Sequence, residues 1–162
     1  MVDAVGREAP TKHAQLLEAL RRAYDPVHGG FGREPKFPMV EGLELALEEH
    51  VLTGDGALLD MVLHSLTGMS EGDSYDQVEG GFFRHSTTRD WSMPYCEKML
   101  KDNTELLRLL GRVFAVTGER KWSDLAKHVH RFLQHVLFLP ETGCWAGSQD
   151  ADEECYVLPA GR

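Results

Sequence analysis

An eight-residue motif that occurs twice limits what this chain can fold into more than any other feature. Tyr24-Asp25-Pro26-Val27-His28-Gly29-Gly30-Phe31 returns as Tyr75-Asp76-Gln77-Val78-Glu79-Gly80-Gly81-Phe82, its tyrosine, aspartate, valine and Gly-Gly-Phe ending in register. A degenerate third copy is expected at Gly143-Cys144-Trp145. A period of about 50–60 residues marks a repeated supersecondary unit.

Between the copies, apolar residues recur at helical spacing. Thr11 is placed to cap a first helix through Ala23, with Leu16, Leu17, Leu20 and Ala23 or Tyr24 on one face. A second helix is expected over 41–53, with Leu43, Ala46, Leu47, His50 and Val51 inward. A third follows the Gly54-Asp55-Gly56 break and ends near Met69, striped by Leu58, Leu59, Val62, Leu63 and Leu66. A fourth is expected from Tyr95 to Thr117, striped by Met99, Leu100, Leu106, Leu107, Leu110, Val113 and Phe114. After Gly118 a fifth runs to Leu139 and buries Trp122, Leu125, Ala126, Val129, Phe132, Leu133 and Val136. Residues 1–10 carry no periodicity and are expected to be disordered; one short strand is expected at Cys155–Leu158.

Helices joined by short breaks run antiparallel, and an even number returns the chain to the same end. Two helices separate each pair of glycine-aromatic loops, so all three loops are expected on one face. The expected fold is all-α, a single domain with about five helices in antiparallel hairpins and long Gly-rich loops gathered at one end.

Composition narrows the partners. With 17 basic and 26 acidic residues the chain carries a formal charge of -9, which disfavours nucleic acid and anionic membrane surfaces. No apolar run approaches a membrane span and the N-terminus has no signal-peptide pattern. Three cysteines without CxxC spacing fit reduced thiols, and a cytoplasmic location is expected. His128, His130 and His135 lack i,i+4 ligand spacing, so no metal and no cofactor is expected.

The fourth helix carries the most specific local signal. Asn103 falls inside its apolar stripe, where a buried amide needs hydrogen-bonding partners. Glu97 is expected in the first turn, where the helix dipole stabilises its anion.

Three stretches, GGFGREPKFP, YDQVEGGFFRHSTTRDWSMPYCEKMLKDN and SQDADEECYVL, taken in order, resemble the spermatogenesis-associated protein 20-like family. The resemblance implies a long protein with an N-terminal thioredoxin-like domain and a six-hairpin α/α toroid, similar to the toroids of N-acylglucosamine 2-epimerases and several glycosidases. This chain corresponds to the start of that toroid. It departs at Tyr95, Cys96 and Lys101, where the family reads His, Phe and Tyr, and at Leu158, where a tryptophan is expected.

The toroid implies sugar hydrolase or epimerase chemistry, which needs an acid/base pair across a sugar and aromatics to stack on it. The candidate catalytic residues are Glu97, Asp90 and Asp76. Lys36, Arg84, Asp102 and Asn103 are candidate polar contacts, Trp91, Phe31, Tyr75 and Phe82 candidate aromatic contacts, and Asp150 and Asp152 complete the rim. The ligand class expected is a carbohydrate or another small molecule. A second reading is a non-catalytic interaction module associated with a thioredoxin-like partner. A homo-oligomer is also expected, because part of a toroid leaves helix flanks uncovered, with Leu16 and Leu20 at one edge and Phe132, Val136 and Phe138 at the other.

Overall fold

The computed structural model describes residues 11–150; residues 1–10, Asp152 and the expected strand at 155–158 lie outside them. Five α-helices carry the fold: α1 Lys12–Ala23, α2 Val40–Thr53, α3 Gly56–Glu71, α4 Leu100–Thr117 and α5 Arg120–Phe132. Thr11 caps α1, its Oγ1 accepting from the Ala14 N–H at 3.2 Å. α2 and α4 both stop at glycines, Gly54 and Gly118, in the left-handed conformation that side chains disfavour.

Two helices differ from the periodicity. α4 begins at Leu100 because the preceding residues are recruited into ladders: β1 His85–Ser86 pairs with β2 Pro94–Tyr95, and β3 Lys98–Met99 pairs with β6 Ser148–Gln149. Glu97 therefore lies between two strands and not in a helical turn. α5 ends at Phe132 and continues as a π-helical turn, Leu133–Leu137, which buries Leu133 and Leu137 before β4 Phe138–Leu139 pairs with β5 Cys144–Trp145.

The core lies between α2, α3, α4 and α5. Leu43, Ala46 and Leu47 meet Leu58, Val62 and Leu66 on one side, and Leu106, Leu109, Leu110 and Val113 meet Val129 and Phe132 on the other. Each such leucine contributes about 1.5–3 kcal/mol through burial. The stripe on α4 is turned slightly from the expected one, with Leu109 buried and Phe114 39% exposed. Val51, expected inward, is 59% exposed. α1 buries none of its residues and meets α2 largely through Leu20, beside Gly42. The expected exposed edge also shifts: Phe132 is covered by the second glycine turn, and the open apolar groove runs between α4 and α5 past Leu100, Leu107, Leu133 and Trp145.

The motif repeats as structure. Tyr24 bridges Phe31 and Tyr75 bridges Phe82, both antiparallel, and in the third copy Phe138 pairs with Trp145 at the same spacing. The Gly29 and Gly80 N–H groups donate to the Asp25 and Asp76 carbonyls, and Gly143 donates to Leu139 in the same way. The third copy is thus the whole segment 138–145. Cross-links join neighbours: Lys36 bridges Ser86, and Lys98 pairs with Gln149. The three turns share one end of the helical layer. Among the described residues no helix is long and apolar enough to cross a membrane.

Candidate functional site

Glycines let the first two turns sit directly on the helices. Gly29 has φ +68°, and a Cβ there would stand 2.7 Å from Ser65 Cα; at Gly81, φ +83°, it would stand 2.6 Å from the Phe132 ring. Each turn also reaches a histidine below it, Tyr24 Oη to His64 Nδ1 at 2.7 Å and Tyr75 Oη to His128 Nδ1 at 3.1 Å. Burial pushes the Tyr75 hydroxyl pKa up to about 12, with Asp76 adding to the effect.

Each turn then neutralises one fully buried lysine. Lys36 Nζ donates to Asp25 Oδ2 at 2.7 Å and to the Arg89 carbonyl at 3.0 Å, and lies 5.1 Å from the centre of the Trp91 ring. Arg89 adds a bidentate pair to Asp25, at 2.8 Å on both oxygens. Led by the Arg89 bonds, and against the effect of burial, these partners hold the Asp25 carboxyl far below the usual range. Lys98 Nζ donates to Asp76 Oδ2 at 2.8 Å, Glu79 Oε2 at 2.9 Å and the Gly80 carbonyl at 3.0 Å. Burial raises the Asp76 pKa, but Lys98 and the Glu79 and Val78 amides outweigh it and lower the net value. In the third turn Leu139 replaces the aspartate.

These contacts reassign much of the expected site. Lys36, Phe31, Tyr75, Phe82, Trp91 and Asn103 are all buried; they form the floor under the loops, so Trp91 is no stacking platform and Lys36 no ligand contact. Asp76 is held by Lys98. Asp90 accepts from its neighbour Ser92, which brings its pKa down to about 2, and stands apart from the cleft described next. Asp150 follows β6 as an exposed residue.

Two expected residues do meet, in a cleft of about 170 Å³ at the loop end of α2 and α4. Phe37, Pro38, Met39 and Val40 form one wall; Glu41, Arg84, Lys101, Asp102 and Glu105 form the other. Met39 takes a left-handed backbone conformation, φ 47°, as the chain turns into α2, and is half exposed. Behind the polar wall, Arg84 Nη1 donates to Glu97 Oε2 at 2.7 Å, and the Arg84 N–H donates to the Glu97 carbonyl at 2.7 Å. Lys101 reaches Glu105 at 2.8 Å and Glu41 at 3.4 Å. Asp102 is half-buried, and burial moves its carboxyl above the usual range. Glu97 therefore acts as the holder of Arg84.

His85, Tyr95 and Lys98 were not among the candidate site residues read from the sequence. His85 is stacked between Phe37 at 4.8 Å and Tyr95 at 5.0 Å, forming an aromatic ladder beside the cleft. Burial, then Arg84, lower its pKa, so it stays neutral at pH 7. Its Nδ1 is buried without a partner among the described residues. The signal for Lys98 was the repeated aspartate: a second buried Asp76 turn called for a second cation.

The chain is 34% identical over 148 residues to spermatogenesis-associated protein 20 of Mus musculus, covering 89% of this chain and 19% of that protein. Most of this chain is thus similar to one stretch of spermatogenesis-associated protein 20. It spans about a fifth of the curated relative's length, 19%. No family model matches. In structure, the chain superposes on cellobiose 2-epimerase from Spirochaeta thermophila with a TM-score of 0.74 at 19% identity, covering 85% of this chain and 37% of that one. An unsaturated glucuronyl hydrolase specific for heparin gives 0.67 at 11% identity, covering 86% and 42%. At such identities the likeness shows the fold, a partial all-α toroid.

Proposed function

We propose that the cleft between Phe37–Met39 and Arg84–Asp102 binds a single sugar ring, and that it belongs to a carbohydrate-active toroid with hydrolase- or epimerase-type chemistry in the longer family proteins. The observation that carries this reading is the pairing of unlike walls at the loop end of the helices. A sugar presents an apolar C–H face and a rim of hydroxyls. Phe37 and Met39 match the first, and Arg84, Asp102, Lys101 and the glutamates match the second. The cleft has room for roughly six waters, the scale of one ring. The structural relatives, an epimerase of cellobiose and an unsaturated glucuronyl hydrolase, support carbohydrate as the ligand class.

Thermal-shift and calorimetric titration with glucose, mannose, N-acetylglucosamine and cellobiose test this. Binding that is lost in Arg84→Ala and Phe37→Ala is the expected result. No response to any of these sugars, together with stable co-purification of another protein, would favour a non-catalytic interaction module instead.

A further inference from the structure

The charged groups lining the cleft are not equivalent. Arg84 is tied to Glu97, and Lys101 to Glu105 and Glu41. Asp102 makes no hydrogen bond or ion pair with the described residues, although it is half-buried beside Phe37 and Met39. Its carboxylate is therefore the one charged group of the wall left open to the cleft with no ion-pair partner among the described residues, and so the one free to meet a ligand.

We propose that Asp102 is the proton-exchanging carboxyl of this cleft and that its ligand is an uncharged sugar. This rests on the sugar-binding reading above. Both cations in the wall are already neutralised, so no free positive charge remains to receive an acidic sugar. In a glycoside the step moves one proton from an Asp102 oxygen to the glycosidic oxygen as its bond to the anomeric carbon breaks; water then bonds to that carbon and gives one proton back to the carboxylate.

The surroundings keep both states of Asp102 accessible. Burial, then Glu105 and Glu41, favour the protonated acid; Lys101, Arg84 and the amino end of α4 favour the anion. A carboxyl balanced in this way keeps its acid form to higher pH than an ordinary aspartate. Glu97, bonded to Arg84, is a positioning residue that keeps the guanidinium from forming a closed pair with Asp102.

Carbon-13 NMR of the side-chain carboxyls, from pH 3 to 8, with and without N-acetylglucosamine, mannose or glucuronate, tests the assignment. Asp102 should titrate above an ordinary aspartate in the free protein, and its midpoint should move when an uncharged sugar binds. Glucuronate should bind at least tenfold more weakly. Asp102→Asn should remove the pH dependence of binding across that range, whereas Glu97→Gln should keep the dependence and weaken binding through Arg84. An ordinary Asp102 midpoint in the free protein overturns the assignment by itself, whatever the sugars do. Sugar binding that leaves the midpoint unmoved also overturns it. If no sugar binds while Asp102 titrates high, the sugar reading falls and the ligand class falls with it.

Discussion

Asn103 holds Phe82 by both of its backbone polar groups: Nδ2 donates to the Phe82 carbonyl at 2.9 Å, and Oδ1 accepts from the Phe82 N–H at 2.7 Å. A third bond, from Nδ2 to the Met99 carbonyl at 2.9 Å, ties the same amide to the residue before α4. One fully buried side chain thereby fixes the second glycine turn to the first turn of the helix. Asn103→Leu should destabilise by about 1–3 kcal/mol in urea, because the Phe82 groups lose their partner in a dry site. An unchanged midpoint would show that the turn does not depend on the amide.

The two lysine clusters should respond differently to loss of their aspartate. Among the described residues Asp25 is the sole carboxylate ion-paired with Lys36 and Arg89, and Lys36 has no exposure. Asp25→Asn should cost about 3–5 kcal/mol by leaving a buried cation uncompensated. Asp76→Asn should cost clearly less, since Lys98 keeps Glu79. Equal losses in the two variants would refute this division of charge.

Acid should act through Asp25. Its folded pKa lies below the unfolded value near 3.9, so its contribution is fully present above that value. The contribution is lost as the pH falls below about 4 towards the folded pKa. Unfolding midpoints measured from pH 6 down to pH 2 should drop steeply in the native chain. The slope should be visibly flatter in Asp25→Asn; parallel curves would rule Asp25 out as the group responsible.

Asp102 should behave in the opposite sense. Its folded pKa is raised, so ionisation costs stability as the pH climbs from the unfolded value near 3.9 through the folded one. Asp102→Asn should raise the melting temperature at pH 7 and have little effect at pH 3. A variant less stable at pH 7 would mean that the carboxylate is needed by the fold.

Two glycine substitutions separate strain from collision. Gly32 and Gly81 both have positive φ, but a Cβ at Gly32 meets nothing within 4 Å, whereas at Gly81 it meets the Phe132 ring at 2.6 Å. Gly32→Ala should cost about 1 kcal/mol. Gly81→Ala should lose roughly 1–3 kcal/mol more from overpacking, read from the same denaturation curves.

The parts of this protein legible in the sequence alone are those decided by local chemistry. Helical periodicity placed α1, α2 and α3 nearly to the residue, because an apolar stripe and its caps are properties of a short stretch. The repeated turn placed the loops at one end, since an even count of antiparallel helices leaves no other choice. Asn103 was readable because an amide in an apolar stripe must find partners nearby. Tertiary structure decided the rest. α4 starts at Leu100 because Lys98–Met99 pairs with Ser148–Gln149, residues about fifty positions away that no local pattern connects to it. Lys36 and Lys98 look like surface cations until the turn carboxylates that neutralise them are folded over them, and Arg84 meets Asp102 only where two loops and two helix ends converge. Burial and charge pairing depend on distant neighbours, so the sequence supplied the candidates and the packed loops sorted them into floor and cleft.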